Sequence, residues 1–308
     1  MLFRSQQSDS ANQQGRAEEL YRILIAPAEP FLDKSKFLCV VPDKILHYVP
    51  YSALISPMTG RYLMEDYDLG TAPSSSVFAD LSVLAERKAG VFDENLLSVG
   101  NPRFNRAAFD SLIDLPSAAR EAQSVASFYH KPRVLLEEDA TEKSIRSEIA
   151  KADVVHLAMH YILSGRLETL SGFPLAPEHT RSIGRESSNG FLQSYEIYGL
   201  KLSRPRLVVL SACRTGIEQQ YGGEGAVSAA RPFLAAGVPT VVATLWPVDS
   251  EASAELMASF HRHRTRDLLP AAKALRQAQI EMAHGQDPLY QQPFYWAAFM
   301  TIGGRSPY

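Results

Sequence analysis

The chain has 308 residues, 45% of them hydrophobic and 21% charged, with a formal net charge of -3. Such a chain fits one large globular domain or two small ones and buries most of its apolar surface without staples. The charge excludes a global basic field for nucleic acid or acidic lipid, and the longest apolar runs, such as Leu207 to Leu210 and Thr240 to Trp246, are far too short to span a bilayer. Only Cys39 and Cys213 are cysteines. Two make a poor disulfide framework for this length, which points to a reducing, cytoplasmic setting.

In chain order, the polar opening MLFRSQQSDSANQQGR lacks an apolar signal core and reads as a frayed leader or as a truncation scar from a longer protein, with the first ~15 residues disordered. Residues 1–90 are broken by Pro27, Pro30, Pro42, Pro50, Pro57 and Pro73. They read as an N-terminal subdomain or sheet extension, in which Phe37–Pro42 is a strand and PDKILHYVPYSALI a strand, a turn and a second strand. A boundary falls near Arg87–Asn95, and residues 91–308 form the core.

There, short runs rich in Val and Leu predict strands at Leu96–Val99, Val134–Leu136, Val154–Met159, Leu207–Ala212, Thr240–Leu245 and Phe299–Ile302. Helix patterns lie between them at Ser117–Phe128, Thr141–Ala150, Gly225–Ala236, Glu251–His263 and Asp267–Ala283. Near-continuous apolar strands alternating with helices predict an α/β fold: a mostly parallel sheet covered on both faces. Asp249 offers an N-cap to the helix that follows it, Gly237 a C-terminal stop, and Pro232 a kink or a late start for its helix. The long stretch Tyr161 to Pro205 directly follows a strand end, where parallel sheets build their ligand crevices.

Two strands end in reactive groups: VVHLAMH delivers His160, and LVVLSAC delivers Cys213. If the two strands are parallel neighbours, both residues reach the same sheet edge. A thiol near pKa ~8.5 is mostly protonated at neutral pH, and an imidazole near ~6.5 can take that proton and return it to a leaving amine. The small neighbours Ser211, Ala212, Thr215 and Gly216 leave room for a backbone to approach the sulfur and leave the Cys213 amide as an oxyanion donor. A metal reading of His156 and His160 fails, because four residues along a strand span ~13 Å, so His156 reads as a packed strand residue. GGEGAVSAA lacks the ending of a phosphate-binding loop.

The ordered set VVPDKILHYVPYSAL, YDLGTAPSSSV, GNPRF, LPSAAREA, VVHLAMH, LVVLSACRTG, GGEGAVSAARPFLAAGVPTVVATLWPVD and YWAAFMTIGG resembles the CHAT domain, a caspase- and separase-like branch of cysteine peptidases common in bacteria. The likeness runs over residues 18–304. It implies a caspase-like, six-stranded core sheet with helices on both faces. It also implies a cysteine endopeptidase with His160 as general base, Cys213 as nucleophile, and the backbone amides of Cys213 and Tyr161 holding the oxyanion. Tyr161 stands where the family commonly has glycine, which keeps open a second reading: a catalytically silent scaffold or signalling module. A thiol acyltransferase would use the same pair. Glu224 and Asp249 are candidates for a pocket favouring Arg or Lys, and Arg166, Arg181 and Arg185 for self-cleavage. The cysteine–histidine chemistry needs no cofactor, and the charge and apolar run lengths predict no nucleic-acid or membrane partner. The implied partners are a protein substrate, such as a gasdermin-like effector in bacterial defence, and an activator protein.

Overall fold

The computed structural model describes residues 10–164, 167–178, 189–211 and 225–308. Its main sheet contains β1 (Phe37–Val40), β2 (Asp68–Thr71), β3 (Asn95–Gly100), β4 (Lys131–Leu136), β5 (Val154–Ala158), β8 (Leu207–Leu210), β9 (Thr240–Thr244) and β10 (Phe299–Gly303). A separate antiparallel pair is formed by β6 (Gly172–Pro174) and β7 (Phe191–Gln193). The helices are α1 (Ser10–Leu24), α2 (Leu63–Asp66), α3 (Ser75–Arg87), α4 (Pro116–Ala126), α5 (Glu142–Ile149), α6 (Ser194–Tyr198), α7 (Gly225–Ala235), α8 (Ser250–Thr265), α9 (Ala271–Ala283) and α10 (Pro293–Trp296). Among the described residues no helix is long and apolar enough to cross a membrane.

The strand order is β1-β2-β10-β9-β8-β5-β3-β4. Every neighbouring pair is parallel except β10 with β9. Six strands form the predicted core, and β1 and β2 extend it beyond β10. The strands β5, β8 and β9 are buried along their whole length. That burial is why the sequence shows them as continuous apolar runs rather than alternating ones. α4 packs on β3, β4 and β5, α5 on β4, and α7 on β9 and α6; right-handed crossovers, the rule for parallel strands, would put α4 and the α5–α7 group on opposite faces. α8 packs on α4 and α9 on α8, which completes the first face.

Helix ends follow local chemistry. Ser74 caps α3 through Val77 N, and Thr141 caps α5 through Ser144 N. Asp249 caps α8 by accepting from the amides of Glu251 and Ala252 at 3.0 and 3.1 Å. α7 continues through Pro232 as one helix. Gly237 follows it with φ of +105°, a conformation that suits glycine.

The N-terminal region departs from the sequence reading in two places. PDKILHYVPYSALI forms two single-turn helices of the tighter kind, Lys44–Tyr48 and Tyr51–Ala53, not two strands. Pro42 and Pro50 lack the amide a ladder needs, and Lys44 at φ of +49° breaks the extended run. Where an irregular leader was expected, α1 begins at Ser10. Ala17, Tyr21 and Ile25 recur every fourth residue and are buried. Tyr21 and Ile25 pack in a satellite core with Tyr51, Leu54, Leu63 and Tyr67, and the Tyr21 hydroxyl donates to Glu29 at 2.5 Å.

A polar chain crosses the interior beneath β5. His156 Nε2 lies 2.9 Å from Glu121 on α4, His156 Nδ1 3.2 Å from His261 Nε2 on α8, and His261 Nδ1 2.8 Å from the Tyr129 hydroxyl. One assignment satisfies every atom: Tyr129 donates to His261, His261 to His156, and His156 to Glu121. His156 is therefore a packed strand residue, as its sequence context predicts. Burial pushes the His261 pKa well below its ordinary value, reinforced by His156 and Arg264.

In the unfolded chain His261 titrates near ~6.5. The unfolded state thus binds the extra proton first as pH falls, and stability present above that pH is lost below it. The His160 pKa is lowered too, by burial, so it acts in the same direction. The expected result is a stability loss approaching about 1.4 kcal/mol per pH unit and per histidine below pH ~6.5. Denaturant unfolding from pH 7.5 to 5 measures it, and the slope should flatten in His261→Phe. An equal slope in that variant would exclude His261 as a source.

Candidate active site

β5 ends at Ala158, and Met159 and His160 continue from it at the carboxyl edge of the parallel block. His160 is 3% exposed. Its Nε2 lies 2.7 Å from the main-chain carbonyl oxygen of Ile113. A carbonyl can only accept, so Nε2 must carry the hydrogen. In the neutral ring Nδ1 then holds the lone pair, and this is the nitrogen able to take a proton. Phe104 meets the ring edge-on, with centroids 5.6 Å apart and an interplanar angle of 76°. Burial lowers the His160 pKa, while the Ile113 carbonyl and the charge of Asp114 pull it upward.

The residues holding His160 come from the loop after β3. Asn101 opens this loop with φ of +48°. Its amide donates to the Ala158 carbonyl at 3.1 Å, and its side-chain oxygen accepts from the Leu115 amide at 2.7 Å. The loop then runs past Phe104 and Ile113 to Leu115, which precedes Pro116 at the first turn of α4. Sequence reasoning had GNPRF only as part of a resemblance and gave Asn101, Phe104 and Ile113 no role. The available signal was Asn before Pro in a strand-ending turn, since Asn tolerates left-handed φ.

Tyr161, the expected oxyanion donor, is 3% exposed. Its ring packs 4.9 Å from Phe173 on β6, and its hydroxyl lies 3.3 Å from Ser194 Oγ at the start of α6. The described non-glycine residues with positive φ are Lys44, Asn101, Glu137 and Leu268, so a side chain at position 161 meets no left-handed strain. The aromatic ring fills the interior between the main sheet and the β6–β7 pair. Phe173 continues that packing to Phe233 on α7. The stretch between β5 and β8 thus carries β6, β7 and α6 where sequence reading had an irregular segment.

Asp249 lies five residues beyond the end of β9, a strand two places from β5 in the sheet. It is exposed, and its side-chain oxygen Oδ1 is engaged in the α8 cap. Cys213 and Glu224 lie outside the described residues, as do Arg166, Arg181 and Arg185.

A family model described as the CHAT domain matches residues 14–304. The chain belongs to the CHAT domain family. Among curated proteins, it is 27% identical over 326 residues to tetratricopeptide repeat protein 28 of Homo sapiens. That match covers 92% of this chain and 13% of the relative, so the CHAT domain corresponds to a small part of a much longer protein. Among solved structures it resembles separase in the Saccharomyces cerevisiae separase–securin complex. The TM-score is 0.54 at 14% identity, covering 85% of this chain and 15% of that one. It also resembles the Arg-specific cysteine proteinase gingipain R, with a TM-score of 0.53 at 12% identity, covering 96% of this chain and 68% of that one. At these identities the likeness shows the fold: this CHAT domain has the architecture of the caspase-like cysteine peptidases.

Proposed function

We propose that this CHAT domain is a cysteine endopeptidase in which His160 activates Cys213 for attack on a protein substrate. The register of the sheet carries the reading. β5 and β8 are parallel neighbours, with Val154 opposite Leu207 and Leu157 opposite Leu210. The same offset of 53 residues separates His160 from Cys213. Adjacent strands lie ~4.8 Å apart, a spacing suited to a thiol and an imidazole that exchange a proton.

In the proposed mechanism the His160 lone pair on Nδ1 takes the thiol proton, while the Ile113 carbonyl holds the ring through Nε2–H. The thiolate adds to the scissile carbonyl, and the oxyanion is received by the amides of Cys213 and Tyr161. Imidazolium then protonates the leaving amine, and water releases the acyl group by the reverse proton path. Asp249 and Glu224 are proposed to favour a basic residue before the cleaved bond. A protein effector is the substrate class, and an activator protein is the regulatory partner. The setting is a cytoplasm, with bacterial defence as the context.

The test is alkylation of the purified chain with peptide electrophiles bearing Arg, Leu, Asp or Met at the first position, read by mass spectrometry. Labelling is expected at Cys213, fastest with Arg, and lost in Cys213→Ala. New amino termini in a cleaved substrate would separate a peptidase from an acyltransferase. Failure of every probe to label Cys213 would overturn the reading and favour a silent scaffold.

A further inference from the structure

We propose that Asn101 is a positioning residue that sets the orientation and tautomer of His160 through the Ile113 carbonyl, an inference that rests on His160 being the base of the proposed site. Three observations converge on it.

First, His160 Nε2 donates to a main-chain oxygen at 2.7 Å, so the aim of the ring depends on where the chain puts residue 113. Second, the side chain of Ile113 itself does not put it there, although Leu112 beside it is buried. The Ile113 side chain is 67% exposed, so no packing of its own fixes its backbone. Third, the chain on both sides of that carbonyl is tied by one residue. Asn101 binds β5 with its amide, at the carbonyl of Ala158 two residues before His160. It binds the far end of the loop with its side chain, at the amide of Leu115 two residues after Ile113.

The loop 102–114 is therefore closed onto the same strand that presents the histidine. The Asn101–Leu115 hydrogen bond thus restrains movement of Ile113 relative to His160. An amide donor demands an oxygen acceptor, so the side chain must present Oδ1 to Leu115.

The conformation restricts which residue can do this. At φ of +48° the backbone is left-handed. Glycine, Asn and Asp accept that region most readily, but glycine has no acceptor for Leu115. Aspartate offers both. Alanine offers neither a suited backbone nor an acceptor. The three substitutions therefore separate the turn from the clamp.

The experiment is long-range nitrogen–proton NMR of histidine-labelled chain, with His160 assigned by His160→Gln, together with the pH profile of Cys213 alkylation. In the native chain His160 is expected as the Nε2–H tautomer. In Asn101→Gly a second population bearing the proton on Nδ1 should appear, the alkylation rate should fall tenfold or more, and affinity for the peptide electrophile should hold within about twofold. Asn101→Asp should restore the native tautomer and bring the rate to within threefold. Thermal melts confirm that the variants are folded. A native tautomer with a native rate in Asn101→Gly would overturn the inference, as would an aspartate variant that behaves like the glycine one. The nitrogen signals do not depend on peptidase activity. A tautomer shift in a chain whose Cys213 never reacts would thus refute the endopeptidase reading while leaving the positioning role standing.

Discussion

Replacing His160 with alanine is expected to slow Cys213 acylation and peptide cleavage at pH 7 by about 10²–10⁴-fold, the usual size of a general-base contribution. Without a base, a thiol near pKa ~8.5 is only a few per cent thiolate at that pH. The geometry of His160 explains why it can act. Its Nε2–H is committed to the Ile113 carbonyl, and its pKa is lowered by burial against the upward pull of Ile113 and Asp114. A neutral imidazole is the form that accepts a proton, and lowering its pKa extends that form to more acid solution.

The native pH profile should therefore rise with an acid limb centred below ~6.5. In His160→Ala that limb should vanish, and the rate should instead climb towards the ordinary thiol titration. Stopped alkylation assays from pH 5 to 9 measure both. A variant that keeps its rate within threefold at pH 7, with an unchanged profile, would remove His160 from the mechanism.

A second large effect is expected at the opposite edge of the sheet. Glu94, just before β3, sits between Arg206, just before β8, and Arg264 near the end of α8. Its Oε1 lies 2.9 Å from Arg206 Nε and 2.6 Å from an Arg264 terminal nitrogen. All three side chains are nearly inaccessible. The Tyr308 ring lies over both guanidinium groups, at 5.1 and 5.3 Å from its centroid. One carboxylate thus compensates two buried cations.

Removing one member of a buried pair leaves an uncompensated charge and costs about 3–5 kcal/mol, and here two cations are left. Glu94→Gln should therefore lower the melting temperature on the order of 10 °C. The exposed ion pair of Arg262 with Glu281 is the control, and Glu281→Gln should cost at most about 1 kcal/mol. Equal effects of the two substitutions would show that the buried cluster has no special weight.

The core of this CHAT domain was legible because its strands are short, those inside the sheet are largely buried, and amphipathic helices separate them. Burial on both faces forces an unbroken apolar run, and every such run from Leu96 onward matches a strand of the main sheet. The region before it was not legible in the same way. There, β2 (Asp68–Thr71) carries a charged residue and a glycine in four positions, and no apolar run marks it. The polar first turns of α1 hide a buried stripe that appears only at every fourth residue.

The sequence by itself determined that His160 follows an apolar strand, that Asp249 precedes a helix start, and that His156 belongs to a strand rather than to a metal pair. These follow from periodicity and from side-chain chemistry within a few residues. Only the tertiary structure decided which nitrogen of His160 carries its proton, because that depends on a carbonyl 47 residues earlier in the chain. It also decided that Tyr161 turns inward to Phe173 and Ser194, that Asn101 ties the loop over the histidine, and that Glu94 meets an arginine 170 residues away. Each of these is a contact between residues apart in sequence, made by the strand order and the packing of helices and loops on the sheet, and no local pattern encodes it.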